Sequence, residues 1–116
     1  MFTYPHAKAL KETAPEKVLR LALSLPQTKD ELEQEADRIE TLLENLSQPS
    51  TSVGEELQCH LADAMEYLIE GIFLLIEAET KDDFDTGCLA VLQCHALVQE
   101  LQDEVAALEE APLLVA

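Results

Sequence analysis

The stretch YLIEGIFLLIEAETKDDFDTG, Tyr67–Gly87, decides the fold. Its first ten residues are apolar nearly all round, and only Glu70 interrupts them. Glu77, Glu79 and Thr80 then break the run, and the carboxylates Asp82, Asp83 and Asp85 follow at once. Clustered carboxylates favour a helix N-terminus, where aligned peptide dipoles leave partial positive charge. One helix therefore stops where another starts, with room for only a tight turn. A short connection makes neighbouring helices antiparallel. The segment predicts a long hairpin of helices at 53–79 and 83–110, each roughly 40 Å long at 1.5 Å per residue.

Outward from the hairpin, the apolar residues keep helical time. The third predicted helix carries Leu57, Leu61, Ala64, Leu68, Gly71 and Leu75. The fourth carries Val91, Cys94, Val98, Leu101, Val105 and Leu108. Leu32, Ala36, Ile39, Leu43 and Leu46 repeat the pattern over 29–47. All three series alternate steps of three and four, the spacing of bundle seams. Ala36, Ala64 and Gly71 are small enough to let neighbouring helices approach closely. A first helix over 14–25 completes the set. Three Thr/Ser-x-x-Glu patterns, Thr13–Glu16, Thr28–Glu31 and Ser52–Glu55, read as capping boxes, and Pro15 sits in a first turn where a missing N–H costs nothing. The expected fold is all-α, an antiparallel bundle of four helices in one domain spanning 1–116. Residues 1–13 are expected to be mobile, and 111–116 (APLLVA) form an apolar tail that folds back on the bundle end.

Charge sets the surface. The formal net charge is −17. Residues 1–38 hold six Lys/Arg against seven Asp/Glu, whereas 39–116 hold Lys81 alone against seventeen Asp/Glu. Such a field repels nucleic acid and anionic lipid, so neither is an expected partner. The longest uncharged run, Thr86–Gln99, is far short of the ~20 apolar residues of a membrane span. Three cysteines make an odd number, which points away from a disulfide framework and toward a reducing compartment. MFTYPHAKALKET has no apolar core of signal-peptide length, so a cytoplasmic location is expected.

Leu57–Leu61 (LQCHL) is echoed by Leu92–Ala96 (LQCHA), which invites a metal or redox site. Geometry argues against it. Adjacent helical residues point about 100° apart, so neither Cys-His pair chelates one ion on its own. With the turn centred near residue 81, Cys59 and Cys94 fall nine residues out of register, on the order of 13 Å. Cys94 belongs to the buried seam and Cys59 to the exposed strip of Glu56, Asp63, Glu66 and Glu70. His60 and His95 flank apolar faces and should reach to water. Glu-x-x-His, the di-iron bundle signature, is absent, with Leu57 and Leu92 standing three residues before the histidines. An EF-hand loop begun at Asp83 would place Cys94 where a bidentate carboxylate belongs. No Gly-rich phosphate loop or nucleophile elbow occurs. No cofactor, metal or catalytic residue is assigned, and the chain is not expected to be an enzyme.

The third helix carries more apolar surface than one seam needs. Ile69, Phe73 and Ile76 form a stripe beside the seam, and Tyr67 and Leu74 lie on a third side. Asp63, Glu66, Glu70 and Glu77 form an acidic row on the same helix. These features predict a small acidic protein–protein interaction module, an adaptor, chaperone or regulator, that is expected to be a homodimer. The five apolar residues would contact a homodimer mate or a protein partner with a basic surface. Two alternatives are an acidic nucleic-acid mimic that inhibits a DNA- or RNA-binding protein, and a bundle that binds haem or another small ligand.

Overall fold

A computed structural model describes residues 7–46 and 52–110. Side chains are described for 8–46 and 57–107. All regular structure among the described residues is helical: α1 (Ala7–Glu12), α2 (Pro15–Ala22), α3 (Lys29–Glu44), α4 (Ser52–Glu77) and α5 (Lys81–Glu110). α4 and α5 form the expected antiparallel hairpin and share the largest interface of the fold. α3 packs along α4, and α2 bridges α5 and α3, so the four longer helices close a bundle. The two hairpin tips meet at one end. Leu25, Pro26 and Lys29 there share an open cleft of about 260 Å3 with residues of the other tip, among them Ile76, Thr80 and Phe84. The whole measures 56 × 23 × 18 Å, its length set by the hairpin.

The seams are buried where the heptads place them. Leu32, Ala36 and Ile39 on α3 are inaccessible, and the seam residues from Leu57 to Leu75 on α4 and from Val91 to Val105 on α5 are buried with them. Leu43 and Leu46 are half-buried at the end of α3, and the side chain of Leu108 lies outside the described residues. Met65 and Ile72 widen the α4 seam toward a third neighbour. Gly71 is the contact that fixes the spacing. A Cβ built there would stand 2.6 Å from Val91 Cγ2 and 3.1 Å from the Gly87 carbonyl oxygen. A Cβ on Gly87 would meet Leu75 Cγ at 2.9 Å. These two glycines let the α4 and α5 backbones nearly touch, and they pair 71 with 91 and 75 with 87. That register is centred on residue 81, as the sequence predicts.

Two of the predicted capping boxes do not form. Thr13 Oγ1 donates back to the Ala9 carbonyl at 2.8 Å, and Thr28 Oγ1 donates to the Leu21 carbonyl. Neither the Ala14 N-cap of α2 nor the Thr28 N-cap of α3 makes a side-chain cap bond. Each hydroxyl instead adds a second donor to a carbonyl of the preceding helix that already accepts a backbone N–H, Thr13 N–H at Ala9 and Ser24 N–H at Leu21. The Ser52–Glu55 box falls on side chains outside the described residues. A side-chain cap does form at Thr80, where the carboxylate cluster alone marked a helix start. Thr80 Oγ1 accepts from Asp83 N–H at 3.1 Å, and Asp83 Oδ2 accepts from Glu79 N–H at 3.2 Å. α2 is shorter than the expected 14–25, because the chain enters turns at Leu23. α3 ends at Glu44, earlier than the expected 47. α1 is a six-residue helix that no start signal announces. The 47–51 loop and the 111–116 tail lie outside the described residues.

A buried carboxylate ties the short helices together. Glu35 on α3 is 5% exposed. Lys17 Nζ of α2 donates to its Oε1 at 2.8 Å, and Arg38 Nη2 donates to its Oε2 at 2.7 Å. Arg38 Nη1 continues to the Glu12 carbonyl of α1 at 2.7 Å. Burial pushes the Glu35 pKa up, but the hydrogen bonds and charges of Arg38 and Lys17 outweigh it and hold the carboxyl below its ordinary 4.5. A depressed carboxyl stabilises the fold above its unfolded pKa, and that contribution fades as pH falls through the lower folded value. Glu35→Gln should therefore cost about 1–2 kcal/mol at neutral pH. In urea titrations the gap to wild type should narrow below pH 4.5. A second expectation concerns the glycines. Gly71→Ala should destabilise despite alanine's better helix propensity, by about 1 kcal/mol net. Pairing it with Val91→Ala should cost less than the two single changes summed, as denaturation of all three variants would reveal.

Candidate functional site

Helix α4 sorts its side chains by angle. With the seam turned inward, Asp63, Glu66, Glu70 and Glu77 project outward, and all four are exposed. Tyr67 and Phe73 stand on either flank of this row, 38% and 41% exposed. Asp63, Glu66 and Glu70 surround Tyr67 at a shallow depression of about 310 Å3. Of the other apolar residues predicted to make contacts, Ile69 and Ile76 are half-buried against the core of the same chain, and Leu74 is half-buried. The structure thus divides the predicted set. Tyr67 and Phe73 remain open among the carboxylates, while Ile69 and Ile76 are in large part covered internally.

Helix α5 adds residues that sequence reasoning missed. Leu89 and Leu92 are 61% and 47% exposed. The available signal was their i, i+3 spacing just outside the Val91–Cys94 seam. Leu97 was missed as well. It is half-buried and shares a depression of about 90 Å3 with Glu100, Leu101 and Glu104 of α5 and His60 of α4. His60 Nδ1 lies 3.8 Å from Glu104 Oε2 across the hairpin.

The Cys-His echo comes apart as its register requires. Pairing 71 with 91 sets Cys59 level with residue 103, nine residues beyond Cys94, about 13 Å along the axis. Cys94 is fully buried and Cys59 exposed. Burial, with Glu16 nearby, pushes the Cys94 thiol up to about 12. Burial and the Asp85 charge raise that of half-buried Cys88. His95 keeps 37% of its side chain exposed, as expected, but its Nδ1 is buried against α2, 3.2 Å from Glu16 Oε1. The reason is that α2 crosses α5 at this level. Among the described residues no three His, Cys, Asp or Glu side chains are grouped to hold a metal ion, and no helix is long and apolar enough to cross a membrane.

No protein-family model matches this chain, and searches of curated proteins and of solved structures returned no significant match. The chemistry of its surface is what points to a function.

The thiols give a direct check of helix phase. Under native conditions Cys59 should react with a maleimide at once and Cys88 more slowly. Cys94 should be protected until the chain is unfolded. Mass spectrometry of the labelled peptides reads out all three sites.

Proposed function

We propose that this protein is an acidic helical interaction module that binds a protein partner with a basic surface through the outward face of α4. The observation that carries this reading is the setting of Tyr67 and Phe73. Two exposed aromatic rings stand in a row of four exposed carboxylates, on a helix whose other large apolar side chains are buried or half-buried. Aromatic anchors within a charged rim are the usual energetic centre of an interface. The chain offers the row little internal neutralisation, since Lys81 is the single Lys or Arg after Arg38. Complementary charge on the partner would steer the encounter, and the rings would supply contact area.

A homodimer is the second occupant to weigh. The stripe that suggests one is in part covered within the chain, and a second copy would face carboxylates with carboxylates. A basic heterologous partner therefore stands ahead of it. The nucleic-acid mimic shares the acidic row but has no use for exposed rings.

Affinity capture from native lysate separates these readings. The wild-type chain should retain a basic protein that is lost both to Tyr67→Ala/Phe73→Ala and to Asp63→Lys/Glu66→Lys/Glu70→Lys. Retention by the aromatic variant with loss by the charge variant would favour the mimic. Sedimentation at micromolar concentration should give the monomer mass of 12.9 kDa. A dimer dispersed by the aromatic substitutions would overturn the heterologous reading.

A further inference from the structure

We propose that the partner presents a single basic amphipathic helix, laid lengthwise in the outer groove between α4 and α5. This rests on the interaction reading above and names the element accepted on the Tyr67 flank of that face; Phe73, on the other flank of the acidic row, lies outside the groove.

The groove follows from helix phase. His95 meets Glu16 of α2, so that side of α5 is covered. Leu97 is two residues on, about 200° around the helix, and turns to the opposite side. There it meets His60, as the shared depression shows. On α4 the same logic separates Ile69, packed on the core, from Tyr67 two residues before it. His60, Tyr67 and Leu74 repeat every seven residues along one wall. Ala90, Leu97 and Glu104 repeat every seven along the other. The register sets these strips side by side: 60 is level with 102, 67 with 95, and 74 with 88. The 3.8 Å approach of His60 to Glu104 marks where they meet.

The groove has an apolar middle and acidic rims. Tyr67 is exposed along it, Leu74 is half-buried, and Leu97 is half-buried with part of its surface packed against the core. Asp63, Glu66 and Glu70 stand beside Tyr67 on α4, and Glu100 and Glu104 beside Leu97 on α5. Lys81, at the hairpin tip, is the sole Lys or Arg on either helix.

Backbone chemistry and charge choose the occupant. An extended peptide would bring unpaired N–H and C=O groups, and a helical groove has no strand edge to pair them. A helix satisfies its own backbone. Its residues at i, i+3 and i+7 match the seven-residue period of both walls. Lys or Arg flanking that stripe would meet the rim carboxylates, whereas a second acidic copy would not.

The test uses two synthetic peptides of identical composition. One has three heptads with Leu at a and d, Lys at e and g, and Ala elsewhere. The other holds the same residues shuffled to break the three-four spacing. Titration calorimetry at physiological salt measures affinity, and circular dichroism follows helix formation and confirms that each variant is folded. The heptad peptide should bind at least tenfold more tightly than the shuffled one and gain helix on binding. Tyr67→Ala/Leu97→Ala should reduce its affinity about tenfold, while Leu92→Ala, on the other side of α5, should leave it unchanged. Equal binding of both peptides would overturn the helix proposal and leave the interaction reading standing, because charge alone would then suffice. Loss on Leu92→Ala with no effect of Tyr67→Ala/Leu97→Ala would overturn the groove's location. Binding of neither peptide would overturn both the helix proposal and the basic-partner reading.

Discussion

The near contact of α4 with α5 at Gly71 and Gly87 is the constraint from which the rest of the structure follows. With no Cβ at either position, the Val91 and Leu75 side chains press directly onto the facing backbone. That approach cannot slide by a turn without driving a side chain into the space a glycine leaves. It therefore locks the register, and the register decides which residues of two long helices meet. Burial then accumulates along the seam, at about 1.5–3 kcal/mol for each large apolar side chain. The remaining helices occupy what the hairpin leaves open. α3 packs along α4, α2 closes against α5, and among the described residues Tyr67, Phe73, Leu89 and Leu92 stay exposed on the hairpin.

The distribution of cations has a structural cause and a surface consequence. Six of the seven Lys and Arg precede residue 39. Lys17 and Arg38 converge on buried Glu35, and Arg38 also holds the last turn of α1. Short helices have little seam to bury, and this polar knot supplies tertiary contact that their length does not. It is costly to break, because an unpaired charge left in the interior has no solvent to receive it. The hairpin needs no such knot and has no cations to spare for its own surface. Its carboxylates therefore act outward. Internal stabilisation and external charge are divided between the two halves of one chain.

How much of this was legible depends on the range of each signal. The seams were legible because apolar steps of three and four, kept up over many residues, require a helix with one buried face. The register was legible because the turn between Glu77 and Lys81 leaves almost no slack. Caps were less so. Thr-x-x-Glu describes Thr13 and Thr28 as well as any true box, but the pattern does not record that a previous helix ends close upstream, at Glu12 and Ala22. Both hydroxyls took the nearer carbonyl. At Thr80 the chain has just left α4, yet Thr80 caps Asp83 N–H and the Asp83 carboxylate turns back to Glu79 N–H. α1 escaped notice because six residues carry too little periodicity. That Ile69 and Ile76 would be half-buried against the core of the same chain was not decided by their spacing, since a stripe does not record which neighbour lies beside it. Tyr67 and Phe73 could be named from sequence but not separated from their neighbours, because exposure is a property of the assembled bundle.

The same geometry explains how an acidic surface can be selective. Net charge attracts every basic protein, and at physiological salt its reach fades over roughly 8 Å. Discrimination must come from shape at contact. A face built on two helices in fixed register holds its side chains at set intervals, so little ordering remains to be done when a partner arrives. On the proposed reading, the carboxylate rows would gather cationic molecules toward the hairpin, and the spacing of Tyr67, Leu74 and Leu97 would separate those that fit from those that are merely positive. That spacing exists because two glycines hold the helices in one register. On the proposed reading, the residues that would recognise a partner and the residues that make the fold are thus set by a single contact.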